Sequence, residues 1–133
     1  MALGTPLLWW MGTLAIAIVF GYWIASIVKG SNDKIAGFIL LGIAAGYLPW
    51  FLLQRRTVFT FYAIVFEPFL IFALVYVAEK YLGARPWQKN RKRVVILCIL
   101  LIAINFLYFL PIYNGSILSY SSWSQRMWLP SWI

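Results

Sequence analysis

The 133 residues are 64% hydrophobic and only 11% charged, with a mean hydropathy of +0.86. Soluble domains contain about 45–50% apolar and about 25% charged residues, so this composition argues against a water-soluble fold. A net charge of +8 is common in proteins that bind nucleic acid, yet six of the eleven basic residues lie between Lys80 and Arg93, directly before an apolar run. A membrane-facing loop explains that cluster better than nucleic acid does.

Four apolar segments are long enough to cross a bilayer as helices. A spanning helix needs about 20 mostly apolar residues, because the hydrocarbon core is about 30 Å thick. Each segment is predicted to be helical, since lipid offers no hydrogen-bond partner to an open strand edge. The predicted spans, in chain order, are residues 8–28, 35–53, 58–77 and 94–113. The fold class is therefore predicted to be an all-α integral membrane protein with four transmembrane helices.

The distribution of basic residues predicts the orientation, because lysine and arginine in short loops favour the cytoplasmic side. The first and third loops together carry eight such residues, whereas the opposite side carries three, Arg55, Arg56 and Arg126. Interfacial aromatic residues gather on that opposite side: Trp9, Trp10, Trp50, Tyr113, Trp123, Trp128 and Trp132. We expect a multi-pass cell-membrane protein with both termini outside and with a tail, residues 114–133, along the outer interface.

One acidic residue lies inside a predicted span. A carboxyl at the depth of Glu67 costs about 3 kcal/mol on insertion scales, so a specific role is expected for it. Asn105 lies at a similar depth on the fourth span, and we predict that the two side chains form an intramembrane hydrogen-bonded pair. Two interpretations of Glu67 stay open, a structural contact between helices and a direct part in binding or proton transfer.

Two arginines lie on the side that is otherwise poor in basic residues. The guanidinium groups of Arg55 and Arg56 are suited to a bidentate grip on a lipid phosphate. The alternative is that both side chains only extend to the interface and cap helix ends. A GxxxG pattern, Gly42 and Gly46, is predicted to let a neighbouring helix approach closely, mainly within the chain.

No catalytic arrangement can be recognised from the residues alone. The sequence has no histidine, and its one cysteine, Cys98, lies in an apolar run without a possible intrachain partner. Neither a metal site nor a cofactor is predicted, and no nucleophile, base and acid appear at a common spacing.

Five short strings resemble the protein O-mannosyltransferase family, especially its actinobacterial branch. In chain order they are residues 3–10 (LGTPLLWW), 47–51 (YLPWF), 56–59 (RTVF), 110–115 (LPIYNG) and 126–133 (RMWLPSWI). Together they resemble the last four helices of that family in order and spacing. Thr5 stands where the family usually has asparagine, and Phe61 and Tyr62 stand where eukaryotic members carry a histidine pair, so no role of those histidines is transferred.

The resemblance implies part of a C-type membrane glycosyltransferase fold that works on the external face. Such an enzyme transfers mannose from a polyprenyl-phosphate-mannose donor to serine or threonine of a secreted acceptor protein. The acidic pair of the family lies near the N-terminus of the enzyme, so the resemblance implies no catalytic residue in this chain and no activity by the chain alone. Arg56, and with it Arg55, would help to hold the donor phosphate. The remaining N-terminal helices of the enzyme would be a partner of this chain.

Two hypotheses follow from the sequence. In the first, the chain is the C-terminal four-helix portion of a mannosyltransferase, as a fragment or a split subunit. In the second, it is a free-standing four-helix membrane protein that binds a partner or anionic lipid and catalyses nothing.

Overall fold

A computed structural model of the chain describes residues 4–52, 60–83 and 89–129, and these residues form helices and short turns. The elements are α1 (Pro6–Val28), α2 (Lys34–Tyr47), α3 (Pro49–Leu52), a 3₁₀ helix (Thr60–Val65), α4 (Glu67–Gly83), α5 (Lys89–Tyr113) and α6 (Tyr120–Ser124). No strand is present in the described ranges. The all-α membrane fold predicted from the sequence is confirmed.

Local sequence explains both ends of α1. Pro6 occupies the first turn, where its missing N–H costs nothing and its φ angle already suits a helix. At the other end Gly30 adopts a φ of 70°, which a glycine tolerates without strain. Its N–H donates to the Ile27 carbonyl at 2.9 Å, and the Ser31 N–H donates to the Ser26 carbonyl at 2.9 Å, which completes a Schellman motif.

Three helices are long and apolar enough to cross a membrane, and they cover Pro6–Val28, Lys34–Phe51 and Asn90–Tyr113 among the described residues. In the second of these, a single turn residue, Leu48, separates α2 from α3 directly before Pro49. A proline there lacks the N–H that a continuous helix would need, so the α2 hydrogen-bond ladder stops and α3 begins.

The region of the third predicted span differs from a single helix over residues 58–77. It contains the 3₁₀ helix, then α4, which begins at Glu67 and continues to Gly83, six residues beyond Val77. Pro68 gives the reason, because inside a continuous helix it would remove one hydrogen bond and clash with the preceding turn. In the first turn of α4 it does neither. The 17 residues of α4 are fewer than the roughly 20 that a perpendicular span requires.

Helices α1, α2 and α4 surround the main core. Its buried members are small or β-branched residues from the three helices, together with one tyrosine: Ala15, Val19, Ala36, Ile39, Ala73 and Tyr76. Helix α5 lies at the edge, and its buried residues, Asn105 and Phe109, belong to the half that ends at Tyr113. The other apolar side chains of α5 are largely exposed, as expected for a surface that faces lipid or further membrane helices.

The GxxxG pattern packs within the chain. An added Cβ at Gly46 would lie 2.8 Å from the Cβ of Phe66, and one at Gly42 would overlap the ring of Phe69. Both phenylalanines belong to the segment that opens α4, so the two glycines provide the space into which these rings fit. Close approach through small residues is a common basis of helix association in membranes.

We predict that Gly42→Ala destabilises the chain by about 1–3 kcal/mol, because the Phe69 ring must leave its position. Gly21→Ala is the matched control, since no atom lies within 4 Å of a Cβ added at Gly21. Thermal unfolding in detergent, followed by tryptophan fluorescence, measures both variants. Equal stability of the two would contradict the proposed Phe69 packing.

Candidate functional site

The residues predicted to bind a lipid phosphate, Arg55 and Arg56, lie outside the described ranges. In the sequence they fall between α3, which ends at Leu52, and the 3₁₀ helix, which begins at Thr60. Aromatic contacts join these flanking elements: Tyr47 packs edge-on against Phe51, with ring centroids 5.4 Å apart, and against Phe66 at 5.7 Å. The candidate site is therefore built from the end of the bundle to which α3 and the start of α4 belong. This end is called the outer end, after the orientation predicted from the sequence.

Helix α5 supplies the cap that the start of α1 lacks. The Asn105 Oδ1 atom accepts a hydrogen bond from the Leu7 N–H at 3.2 Å. Thr5, the N-cap residue, makes no capping bond to its own helix; its Oγ1 instead accepts from the Tyr113 hydroxyl at 3.3 Å. The first N–H groups of a helix have no partner within the helix, so a side chain from a neighbouring helix satisfies one of them here.

The structure gives Asn105 a different partner from the one predicted. Among the described residues, its side chain forms no hydrogen bond with Glu67. The N-terminus of α1 offers an unpaired donor at the depth of Asn105, and the side-chain carbonyl of this residue occupies that donor. Glu67 is half-buried at the first residue of α4, and its role in binding or proton transfer stays a prediction.

Two aromatic clusters cover the outer end. In one, Trp9 of α1 packs edge-on against Phe66, with centroids 5.9 Å apart. In the other, Trp128 of the tail lies against Phe109 at 5.0 Å and against Trp10 at 6.1 Å. Aromatic pairs of this kind contribute about 0.5–1.5 kcal/mol each beyond burial. They join α1, α4, α5 and the tail into one surface.

Arg126 fixes the tail to α5. Its Nε donates to the Tyr108 carbonyl at 2.9 Å, its Nη1 donates to the Ser122 carbonyl at 2.6 Å, and its guanidinium lies 4.7 Å from the Tyr108 ring centroid. Pro111 has no N–H to donate to the Leu107 carbonyl in this turn of α5, and Arg126 bonds the neighbouring Tyr108 carbonyl. In the sequence, only the position of an arginine after a proline-containing helix points to this role.

A polar junction lies at the opposite end of the bundle, where α1, α2 and α4 meet. The Asp33 Oδ2 atom accepts from the Tyr76 hydroxyl at 2.7 Å and lies 3.3 Å from the Lys80 Nζ, while Oδ1 accepts from the Ala36 N–H at 3.1 Å. The Tyr76 and Ala36 hydrogen bonds, with Lys80, hold the pKa of Asp33 below its ordinary value. The carboxylate is thus charged at neutral pH and joins α2 to α4. Sequence analysis did not single out this junction, although Asp33 precedes a helix as an N-cap residue should.

No group of three or more histidine, cysteine or acidic residues that could hold a metal ion occurs in the described part of the chain. Apart from three carboxylates and one thiol, the polar groups available there are hydroxyls, amides, tryptophan N–H groups and basic side chains. Such groups can bind and orient an anionic ligand.

A model of the C-terminal four-transmembrane region of protein O-mannosyltransferase matches residues 1–132. The chain belongs to this family. Similar proteins include the polyprenol-phosphate-mannose–protein mannosyltransferases of Mycobacterium tuberculosis (strain ATCC 25618 / H37Rv), 31% identical over 137 residues, and of Mycolicibacterium smegmatis (strain MKD8), 32% identical over 137 residues. That of Corynebacterium glutamicum is 30% identical over 133 residues. The predicted resemblance to actinobacterial mannosyltransferases is confirmed.

The matches cover 97–99% of this chain but 25% of each of these relatives. The chain thus spans about a quarter of the length of the mannosyltransferases that it resembles. No solved structure matches the chain.

Four of the five strings that carry the family resemblance have described residues, and these residues meet in space at the outer end. Thr5 contacts Tyr113 across 108 positions of sequence, and Trp10 contacts Trp128. Tyr47 reaches the same group through Phe66, which also contacts Trp9. Within the described residues, the parts of the chain that most resemble the mannosyltransferase family therefore form one continuous surface.

We predict that Asn105→Ala destabilises the chain by about 1–2 kcal/mol, because the Leu7 N–H loses its acceptor. The neighbouring Ile104→Ala is the control, since Ile104 is 61% exposed and its truncation opens no cavity. Thermal unfolding in detergent compares the two. If Ile104→Ala costs as much as Asn105→Ala, the hydrogen bond to α1 is not the source of the stabilisation.

Proposed function

We propose that this chain is the C-terminal membrane portion of a protein O-mannosyltransferase that transfers mannose from polyprenyl-phosphate-mannose to serine or threonine of secreted proteins. The observation that carries the proposal is the family match over residues 1–132, together with the convergence of the matching strings at one end of the bundle. The names of the relatives supply the donor, a polyprenol-phosphate-mannose, and the acceptor class, a protein.

The proposed reaction divides its chemical requirements between this chain and the rest of the enzyme. A base must remove the proton of the acceptor hydroxyl as its oxygen attacks the sugar carbon, and cationic donors must stabilise the departing phosphate. The base and its acidic partner would come from the N-terminal part of the enzyme. Arg56, helped by Arg55, would hold the phosphate, because guanidinium groups bind phosphate oxygens in pairs. By itself this chain would be inactive.

The remainder of the outer end would support that phosphate site. Bonds from Asn105 and Tyr113 join α5 to the start of α1, and Phe66 packs against Trp9 of α1 and Tyr47 of α2. Apolar surface nearby, including Phe51 and Ile64, which are 55% and 69% exposed, suits the polyprenyl chain of a donor or the adjoining helices of the enzyme. Glu67, half-buried at the start of α4, would contribute a polar contact within the membrane.

Activity is tested in a chimaera, in which this chain replaces the C-terminal quarter of the Mycolicibacterium smegmatis enzyme in a strain that lacks its own copy. We expect protein mannosylation to be restored. Arg56→Ala should then lower kcat/KM for the lipid-linked donor by about tenfold or more, since a hydrogen bond to a charged group contributes about 1.5–3 kcal/mol. Radiolabelled mannose transfer in membranes measures both effects.

Arg93→Ala is the matched control, because Arg93 is an exposed arginine on α5 and is far in the sequence from the segments that form the outer end. Its kcat/KM should stay unchanged. An unchanged KM and kcat for Arg56→Ala would remove this residue from the donor site. A chimaera that is folded in the membrane but transfers no mannose would contradict the function proposed for this chain.

We predict that the outer end and both termini face the exterior, which follows from the basic residues of the loops. With Cys98 replaced by alanine, a membrane-impermeant maleimide should label Ser116→Cys in intact cells. It should label Asn90→Cys only after the membrane is permeabilised. Both positions are exposed in the structure, so a difference reports the membrane side. The reverse pattern would overturn the orientation, and with it a donor site on the external face.

A further inference from the structure

A cleft opens at the end of the bundle opposite the aromatic clusters. It has a volume of about 360 Å³ and lies between the last turn of α1, the loop that follows and the second half of α4. Lys29, Asn32, Asp33 and Lys80 contribute its polar lining. Its volume is in the range of small-molecule sites in proteins. The proposed mannosyl transfer does not use this cleft, and the inference below does not depend on that proposal.

The single carboxylate in the cleft is fully engaged. One Asp33 oxygen accepts the Ala36 N–H, and the other accepts the Tyr76 hydroxyl and pairs with Lys80. The Asp33 N–H in turn donates to the Ser26 hydroxyl at 3.2 Å. The carboxylate therefore holds Lys80 in place at the wall of the cleft, and that ammonium group also lies 5.0 Å from the Tyr76 ring centroid.

Donors for a ligand remain on the other side of the cleft. The side chains of Lys29 and Asn32 form no hydrogen bond or ion pair with the described residues, and the Lys80 side chain is 42% exposed. Lys80 and Asp33 balance one another in charge, so Lys29 leaves the lining with a net positive charge. Two ammonium groups and an amide around one cleft form a donor set that suits the oxygens of a phosphate ester.

The wall that faces the membrane core is apolar. Tyr22 and Ala25 line the cleft on that side, and the exposed side chain of Ile18 continues the apolar surface along α1. A lipid has the matching arrangement, with a charged phosphate next to acyl chains. A soluble phosphate would make no use of this surface.

We propose that this cleft binds the phosphate group of an anionic membrane lipid, with Lys29 and Lys80 as the charged partners, Asn32 as a further donor, and the acyl chains along α1. Lys29 is the discriminating residue because it has no structural contact to lose. Lys80 supports Asp33, so its replacement would disturb the junction of α1, α2 and α4 as well.

The test uses the full 133-residue chain in detergent, titrated with short-chain phosphatidylglycerol and followed by native mass spectrometry. Lys29→Gln should weaken lipid binding about fivefold, since one basic residue at an anionic lipid surface contributes about 1 kcal/mol. Lys92→Gln, an exposed lysine on α5 that does not line the cleft, should leave binding unchanged. Size-exclusion profiles and thermal unfolding show that the variants remain folded.

Three outcomes would overturn the proposal. Equal weakening by Lys29→Gln and Lys92→Gln would mean diffuse attraction to basic residues and no defined site. Equal binding of zwitterionic phosphatidylcholine would mean that the anionic charge is not recognised. Displacement of the lipid by glycerol 3-phosphate at the same concentration would assign the cleft to a soluble phosphate ester, because the acyl chains would then add nothing. None of these measurements depends on mannosyl transfer.

Discussion

The structure depends on the fact that hydrocarbon, unlike water, offers no hydrogen bond to the backbone and no hydrophobic force between helices. Long apolar helices are stable there individually, but apolar character alone does not determine how they assemble. Two kinds of contact do so in this chain. Small residues allow close approach, as where Gly42 and Gly46 receive Phe69 and Phe66, and polar groups join helix ends.

Those polar contacts occur at both ends of the bundle and join different helices. At one end, Asn105 and Tyr113 of α5 bond the start of α1. At the other, Asp33 joins the start of α2 to Tyr76 and Lys80 of α4. Such groups satisfy donors that a helix terminus would otherwise leave unpaired. Helix α5 depends on these contacts because it buries little apolar surface against the other helices.

The outer end illustrates how a membrane protein can form one surface from segments that are far apart in its sequence. Membership of the mannosyltransferase family rests on strings that are separated by long apolar helices, and their described parts return to one place. Arg126 contributes to this arrangement through the backbone, because it reaches the turn of α5 that Pro111 weakens. In the sequence, Arg126 contributes to the prediction of membrane topology. In the structure it also holds the tail, and Trp128 with it, against α1 and α5.

The sequence alone established that the chain lies in a membrane, that it is helical and which family it belongs to. Hydropathy over about 20 residues and the order of five short strings are properties of the chain itself. The sequence also contains Pro68, which explains why α4 begins at Glu67. A longer uninterrupted span was predicted there. Partners of individual polar side chains were decided only by tertiary structure. Asn105 and Glu67 are at comparable predicted depths, but depth does not give the direction of a side chain around its helix. The rotation and packing of α1 against α5 placed the Leu7 N–H within reach of Asn105, and the packing of α1, α2 and α4 likewise created the Asp33 junction.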